Sequence, residues 1–241
     1  MSHTNFLFSS VGDNTNFDEL WIDDSMNYDI YIIYYGNHVE TFKKYQSKVT
    51  FIESRKGSKF QNFKYFYDKY KDVINMYDRF FILDDDIIMN VNDINEMFQI
   101  SKQYKLDICS PSLSKDSKLS HKITIHKPNK LLTYTNFVEV GYSLYNKNAL
   151  QKLMKQLDET LIGWGIDFLS IYCNGIHKQT SYAIVYKIIC KNPKDNEKKN
   201  KHRELENISQ YNHRQQLWET FANKHKLRPY FTLKTYTSIN L

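Results

Sequence analysis

Two hydrophobic patterns alternate along the chain: short unbroken apolar runs, and longer stretches with apolar residues at three- and four-residue steps. Residues 6–11 (FLFSSV) are a run closed by Gly12, Asp13 and Asn14, which predicts a buried first strand and its turn. Residues 28–35 (YDIYIIYY) predict a second strand stopped by Gly36 and Asn37, and residues 49–52 a short third one. After Gly57, the spacing of Phe60, Phe63, Tyr67, Tyr70 and Ile74 predicts a helix over 59–76. Residues 79–83 (RFFIL) predict a fourth strand that ends abruptly in Asp84, Asp85 and Asp86.

Asn92 or Asp93 is expected to cap a helix running to Tyr104. Strands are expected at 106–110, 137–145 and Tyr182–Cys190, and helices at 149–158 and 166–173. Residues 114–130 are polar and without period, so they read as a loop or hairpin. The order strand, turn, helix, strand implies an α/β fold with a central mixed, mainly parallel sheet flanked by helices. The composition shifts at 191–206 (KNPKDNEKKNKHRELE), which reads as a solvated charged connection. A short amphipathic helix over 217–225 and an extended tail over 230–241 are expected to follow. The expected division is therefore a main domain over 1–192, with 193–241 packed on the same domain.

Composition narrows the function. The 241 residues include 19 Tyr and 15 Phe, which argues against disorder. A net charge of +6 arises from 33 basic and 27 acidic residues, an excess that suits phosphate-bearing ligands as well as polyanions. Three dispersed cysteines, Cys109, Cys173 and Cys190, have no zinc-ligand spacing and fit a reducing compartment. Mean hydropathy is -0.62. No apolar run approaches the ~20 residues of a membrane span, and the N-terminus lacks a basic, apolar leader. A soluble, cytoplasmic chain without a transmembrane segment is expected.

The acidic triplet is the most informative segment. Side chains alternate along a strand, so Asp84 and Asp86 share a side and Asp85 faces away. Three adjacent carboxylates repel one another, and a divalent cation relieves the repulsion. Oxygen-only ligands favour Mg²⁺ or Mn²⁺ over zinc. Such ligands bind beyond the carboxyl ends of strands in open α/β sheets. An acidic turn carries the same residues, but the apolar strand ahead of the triplet favours the metal.

The second segment is 161–168 (LIGWGIDF). Gly163 and Gly165 allow close backbone approach to a ligand. Trp164 offers a face to a sugar ring, and Asp167 can take a proton from an acceptor hydroxyl. The bland alternative is a helix start, with Trp164 in the core and Asp167 at the positive end of the dipole. The presence of the acidic triplet tips the balance towards function.

These two segments, in this order, resemble glycosyltransferases of the GT-A type, which use a DxD or DDD motif for a metal and a nucleotide-sugar. GWGID is similar to the GWGxD-type motif of β-galactosyltransferase-like enzymes. Further pieces resemble a glycosyltransferase family seen in large DNA viruses, bacteria and plants: Val11, Gly12 and Asp13, then YDIYIIYYG, KGSKF, SPSL and FVE. The resemblance covers about residues 5–192. It implies that Asp86 is the principal ligand of Mn²⁺ or Mg²⁺, with help from Asp84. It places Asp84, Asp85, Val11, Gly12, Asp13, Lys59 and Asn62 near the donor nucleotide or its sugar, with UDP as the favoured nucleotide. Glu139 and Asp167 would face the acceptor, beside Trp164 and Gly165. Related enzymes often add a late His to the metal. Here Cys190, Lys191, Asn192 and Pro193 stand at that place, so His177, His202, His213 or water would complete the shell.

The reading is a metal-dependent transferase moving a sugar from a nucleotide-diphosphate donor to a glycan hydroxyl. Asp167 is the base, Glu139 the next candidate, and the anomeric configuration inverts. No nucleic-acid partner is expected, and the basic residues between Lys43 and Lys71 read mostly as a solvated helix face. Two other classes fit the same residues. One is a nuclease-like phosphoryl-transfer enzyme using the carboxylates, and the other is a non-catalytic glycan- or nucleic-acid-binding module using the aromatics.

Overall fold

Strands that are apolar along their whole length can only sit inside a sheet covered on both faces. A computed structural model of the protein, describing residues 3–199 and 204–241, has that arrangement. In chain order its elements are β1 (Asn5–Val11), α1 (Phe17–Leu20), β2 (Asp29–Tyr34), α2 (Val39–Gln46), β3 (Phe51–Ser54), α3 (Lys59–Lys69), α4 (Lys71–Asn75), β4 (Arg79–Asp84), α5 (Val91–Gln103), β5 (Ile108–Leu113), a 3₁₀ turn (Lys122–Thr124), β6 (Lys130–Thr135), β7 (Tyr142–Asn146), α6 (Lys147–Gln156), α7 (Ile166–Asn174), β8 (Tyr182–Cys190), α8 (Glu204–Ile208), α9 (Tyr211–Lys224) and β9 (Thr235–Asn240).

The strands form one mixed sheet in the order β3-β2-β1-β4-β7-β5-β8-β6-β9. β1 is parallel to both β2 and β4, and β2 is parallel to β3. β7 joins antiparallel to β4 and β5, β8 runs parallel to β5, and β6 and β9 complete the far edge antiparallel. The pleat sorts neighbouring residues into two cores. Phe6, Phe8, Phe80 and Ile82 pack with Phe60, Phe63 and Phe66 of α3, with α6 and α7, and with Trp218 of α9. Leu7, Phe81 and Leu83 face the other way, onto Phe17, Tyr45 and the Ile94, Met97 and Phe98 stripe of α5. The expected mixed sheet flanked by helices is therefore present.

Local departures have physical causes. The helix expected over 59–76 breaks at Tyr70, whose backbone leaves helical space (φ −119°, ψ 50°). That break lays its ring 5.0 Å from Phe51 and its hydroxyl 2.8 Å from Glu53. β3 and β5 each start two residues later than expected. Pro111, inside β5, sits at a register shift against β8, and β5 pairs with β7 only at Ile108 and Cys109. The proline therefore withholds its missing donor where no regular ladder needs it.

β6, α1 and α2 were not anticipated. The strand expected over 137–145 begins only at Tyr142. Residues 137–141 form a loop because Asn136 is tied instead to Lys234 and Thr232 of the C-terminal segment. The expected tail is partly a strand, with Thr133 of β6 opposite Ser238 of β9. The amphipathic helix is longer than expected and begins at Tyr211.

One feature of this architecture positions the site. β1, β2, β3 and β4 all point their carboxyl ends the same way, and β1 has its neighbours on opposite sides at the point where the chain reverses its direction of growth. Crevices form at such switch points. Ser10 pairs with Asp84 there.

Candidate active site

A cleft of about 1110 Å³ opens at the carboxyl ends of β1 and β4. It brings together the two segments singled out in the sequence: Asp84, Asp85 and Asp86 line it, and so do Gly163, Trp164, Gly165 and Asp167. Lys59 and Glu139 line it too. The remaining expected contacts lie elsewhere. Val11 is fully buried in the core. Gly12 donates its N–H to Asp85 Oδ2 at 3.0 Å and packs under the Tyr35 ring, where a Cβ would meet Cε2 at 2.7 Å. Asp13 accepts from Asn37 N at 3.1 Å and His38 N at 3.2 Å. Asn62 is fully buried and donates to Ser10 Oγ at 2.8 Å. These four support the wall from behind, while Ser10, Asn14, Thr15 and Asn16 form it.

The triplet is divided among three environments. Asp84 ends β4 and pairs with Lys59 Nζ at 2.8 Å. The same ammonium donates to the carbonyls of Val140 at 2.8 Å and Gly141 at 3.1 Å. Lys59 begins α3, behind a capping box made by Ser58 and Gln61, so the helix start fixes its position. Asp85 turns inward and accepts from the Tyr35 hydroxyl at 2.7 Å as well as from Gly12. Burial pushes its carboxyl up to about 7; Asp86 adds to the rise and the two hydrogen bonds oppose it. Asp86 pairs with Lys198 Nζ at 2.6 Å. The Lys198 side chain is only 4% exposed, although much of the segment around it is exposed. The connection is thus not uniformly solvated. It crosses the triplet, held by paired backbone hydrogen bonds between Ile88 and Lys191. Residues 200–203 of the lysine-rich run, including His202 and Arg203, lie outside the described residues.

Among the described residues no group of three or more His, Cys, Asp or Glu side chains is placed to hold a metal. His177 and His213 are exposed and do not line the cleft, and Cys190 is buried. Asp85 lines the cleft too but gives its Oδ2 to Gly12 and Tyr35, so an ion would draw mainly on Asp84 and Asp86. Two carboxylates suffice for Mg²⁺ or Mn²⁺ when phosphate oxygens and water complete the shell. The donor set therefore fits such an ion, provided that Lys198 yields Asp86 Oδ2 and the ion takes the Asp84 oxygen other than Oδ1, which Lys59 holds.

The opposite wall is built differently. Gly165 sits at φ +81° at the start of α7, where a Cβ would lie 2.1 Å from the Trp218 ring. Only glycine lets α7 pack on α9 there, so this residue serves packing as well as the cleft. Asp167 follows in the first turn of α7, nearly buried, and accepts from Phe168 N at 2.9 Å. Burial pushes its carboxyl up to about 7, against that hydrogen bond and with a small push from Glu139. Glu139 is also nearly buried, and burial raises its carboxyl while the Tyr142 hydroxyl, 2.9 Å away, opposes the rise.

Trp164 stands edge-on to Tyr211, with centroids 4.7 Å apart, and its Nε1 lies 3.3 Å from the Tyr230 hydroxyl. The core tryptophan of this region is Trp218, not Trp164. Lys198, Tyr211 and Tyr230 were missed in the sequence. No local signal separates them from other lysines and tyrosines of the C-terminal stretch, and only tertiary packing brings them to the cleft.

Among the described residues, no helix is long and apolar enough to cross a membrane. No curated protein matches the sequence. The fold is shared with S. aureus TarS. TarS 1–349 in complex with UDP-GlcNAc aligns over 93% of this chain and 66% of that one, with a TM-score of 0.58 and 7% identity. A longer TarS chain aligns over 93% of this chain at a TM-score of 0.54 and 9% identity, and this chain spans 43% of it. TarS 1–349 in complex with UDP gives a TM-score of 0.50 at 8% identity, over 90% of this chain and 71% of that one. At such identities the likeness is one of fold. A family profile described as "Protein of unknown function (DUF707)" matches residues 10–228, a span that includes both walls of the cleft, and the chain belongs to that family.

Proposed function

We propose that the protein is a nucleotide-sugar-dependent glycosyltransferase of the GT-A type, with a UDP-linked donor and a glycan hydroxyl as acceptor. The observation that carries this reading is the single cleft in which a triplet of acids at a strand end faces a nearly buried acid beside aromatic rings. The TarS structures with UDP-GlcNAc and UDP, which share the fold, support the choice of donor.

In this reading the donor diphosphate lies at the ends of β1 and β4. Lys59 supplies a fixed positive charge there. Asp84 and Asp86 would hold Mn²⁺ or Mg²⁺, which when bound draws off the charge that builds on a departing diphosphate. Trp164, Tyr211 and Tyr230 offer an aromatic platform to the acceptor sugar. Asp167 takes the proton of the acceptor hydroxyl as its oxygen bonds to the anomeric carbon. The bond from that carbon to the phosphate oxygen breaks, and its electron pair leaves with the diphosphate. Attack from the face opposite the leaving group inverts the anomeric configuration. A carboxyl titrating near 7 suits this task, because a base works best when its pKa lies near the working pH. Glu139, held by Tyr142, orients the acceptor.

The test is release of UDP from UDP-GlcNAc and related donors by the wild-type protein and by Asp86→Ala, with Mn²⁺ and with EDTA. Metal-dependent release that Asp86→Ala loses is the expected result. Unaltered release by Asp86→Ala would remove Asp86 from the metal site, and hydrolysis of a phosphodiester with no use of any nucleotide-sugar would replace the reading with a phosphoryl-transfer enzyme.

A further inference from the structure

Three adjacent carboxylates call for positive charge, and two lysines of unlike origin supply it. Lys59 belongs to a capped helix start and is anchored by two backbone carbonyls besides Asp84. Lys198 comes from the connection after β8, more than a hundred residues away from Asp86 in sequence. Its ammonium contacts Asp86 at 2.6 Å, and its next carboxylate is that of Asp195 at 3.9 Å. A nearly buried ammonium without a close carboxylate is costly, so Lys198 depends on Asp86 for its position. Asp86 has no such dependence on Lys198, because any cation at that oxygen serves it.

We propose that the Lys198 ammonium and a divalent cation are alternative partners of the Asp86 carboxylate, so that Lys198 sets how tightly this site binds the metal. The inference rests on the metal assignment made for the transferase reading. A divalent cation on Asp86 Oδ2, the oxygen that Lys198 holds, would sit against the ammonium with strong repulsion. Each metal-binding event therefore begins by parting Lys198 from Asp86. The apparent metal affinity falls in proportion to the fraction of molecules in which the pair is closed, and a pair closed nine times in ten weakens it about tenfold. The parted ammonium stays at the cleft wall, where the diphosphate of a bound nucleotide gives it a new partner. Metal and nucleotide then help one another to bind, reciprocally and partly through this one side chain.

The experiment is titration of Mn²⁺ alone into wild-type protein, Lys198→Met and Lys198→Arg, read by the electron paramagnetic resonance of free Mn²⁺, and repeated with UDP present. Lys198→Met is expected to bind Mn²⁺ about tenfold more tightly than wild type. Lys198→Arg keeps the charge and is expected to stay near wild type, and UDP is expected to raise Mn²⁺ affinity more in wild type than in Lys198→Met. Equal or weaker Mn²⁺ binding by a folded Lys198→Met, or no Mn²⁺ binding by either protein, would overturn the proposal. Binding of UDP-GlcNAc measured on the same samples separates the two readings. Donor binding with equal Mn²⁺ affinities refutes the role of Lys198 alone, whereas a Mn²⁺ difference without any nucleotide binding refutes the donor reading alone.

Discussion

The acids of the cleft meet two opposite conditions. On the β4 side, Asp84 and Asp86 are partly exposed, at 32% and 22%, and each touches a lysine. Asp167 on α7, and Glu139 on the loop between it and Asp84, are nearly buried, and among the described residues neither forms an ion pair. An acid paired with one cation can exchange it for another. Burial without an ion-pair partner favours the protonated form, which is why it lifts Asp167 to about 7, and Asp85 behind the β4 side likewise. In the proposed transferase the difference separates an electrostatic wall from a proton-transfer wall inside one pocket, and residue type alone does not tell them apart.

The sharpest way to break this comparison is Asp167→Asn. Turnover is expected to fall by roughly 10²–10⁴-fold, the range for loss of a general base, with nucleotide binding retained. Unchanged turnover would return Asp167 to a structural role. In wild type the rate should rise with pH through about 7, as Asp167 loses its proton. Stability runs the other way. The folded carboxyl titrates above its ordinary value, so its contribution is full at pH below about 4 and is lost as pH rises through about 7. Asparagine cannot ionise, so the melting temperature of Asp167→Asn relative to wild type should be higher at pH 8 than at pH 5. A constant difference would contradict the burial account.

Gly165→Ala addresses the packing beneath the proton-transfer wall. Its Cβ would meet backbone strain at φ +81° and the Trp218 ring at once. A loss of about 3 kcal/mol or more in denaturant unfolding is expected, the scale of overpacking combined with strain. A loss below about 1 kcal/mol would mean that α7 and α9 are loosely joined. Lys59→Met should have the smallest effect on folding, about 1 kcal/mol, because Asp84 can still reach water. Its nucleotide affinity should nevertheless drop about tenfold, the worth of roughly one charge-assisted contact. Equal affinity would place the diphosphate elsewhere.

Much of the central sheet was legible because its strands are continuous apolar runs. β8 matched residue for residue, and β1, β2 and β4 to within a residue or two. β6 (KLLTYT) was hidden because it mixes polar and apolar residues at the end of a polar stretch and gains its identity only from β8 and β9. At the site, the acids were legible as a triplet closing an apolar strand, and Asp167 as the acid after GWG. The repulsion among three carboxylates was legible too, but not that Lys59 and Lys198 answer part of it. Lys198 lies in a run of similar lysines, and nothing short of the folded chain distinguishes it. Glu139 was reached through resemblance alone, because its segment reads as a strand and becomes a loop only through Asn136 and the C-terminal segment.

The central claim is that the cleft binds a nucleotide-sugar through its acidic wall. It is tested most directly by the thermal stability of wild type and Asp86→Ala against a panel of nucleotide diphosphates and nucleotide-sugars, with Mn²⁺, with Mg²⁺ and with EDTA. A ligand that binds only the folded state must raise its stability by mass action. The account predicts a metal-dependent rise with a UDP ligand in wild type, absent in Asp86→Ala. No rise with any nucleotide or nucleotide-sugar would contradict it.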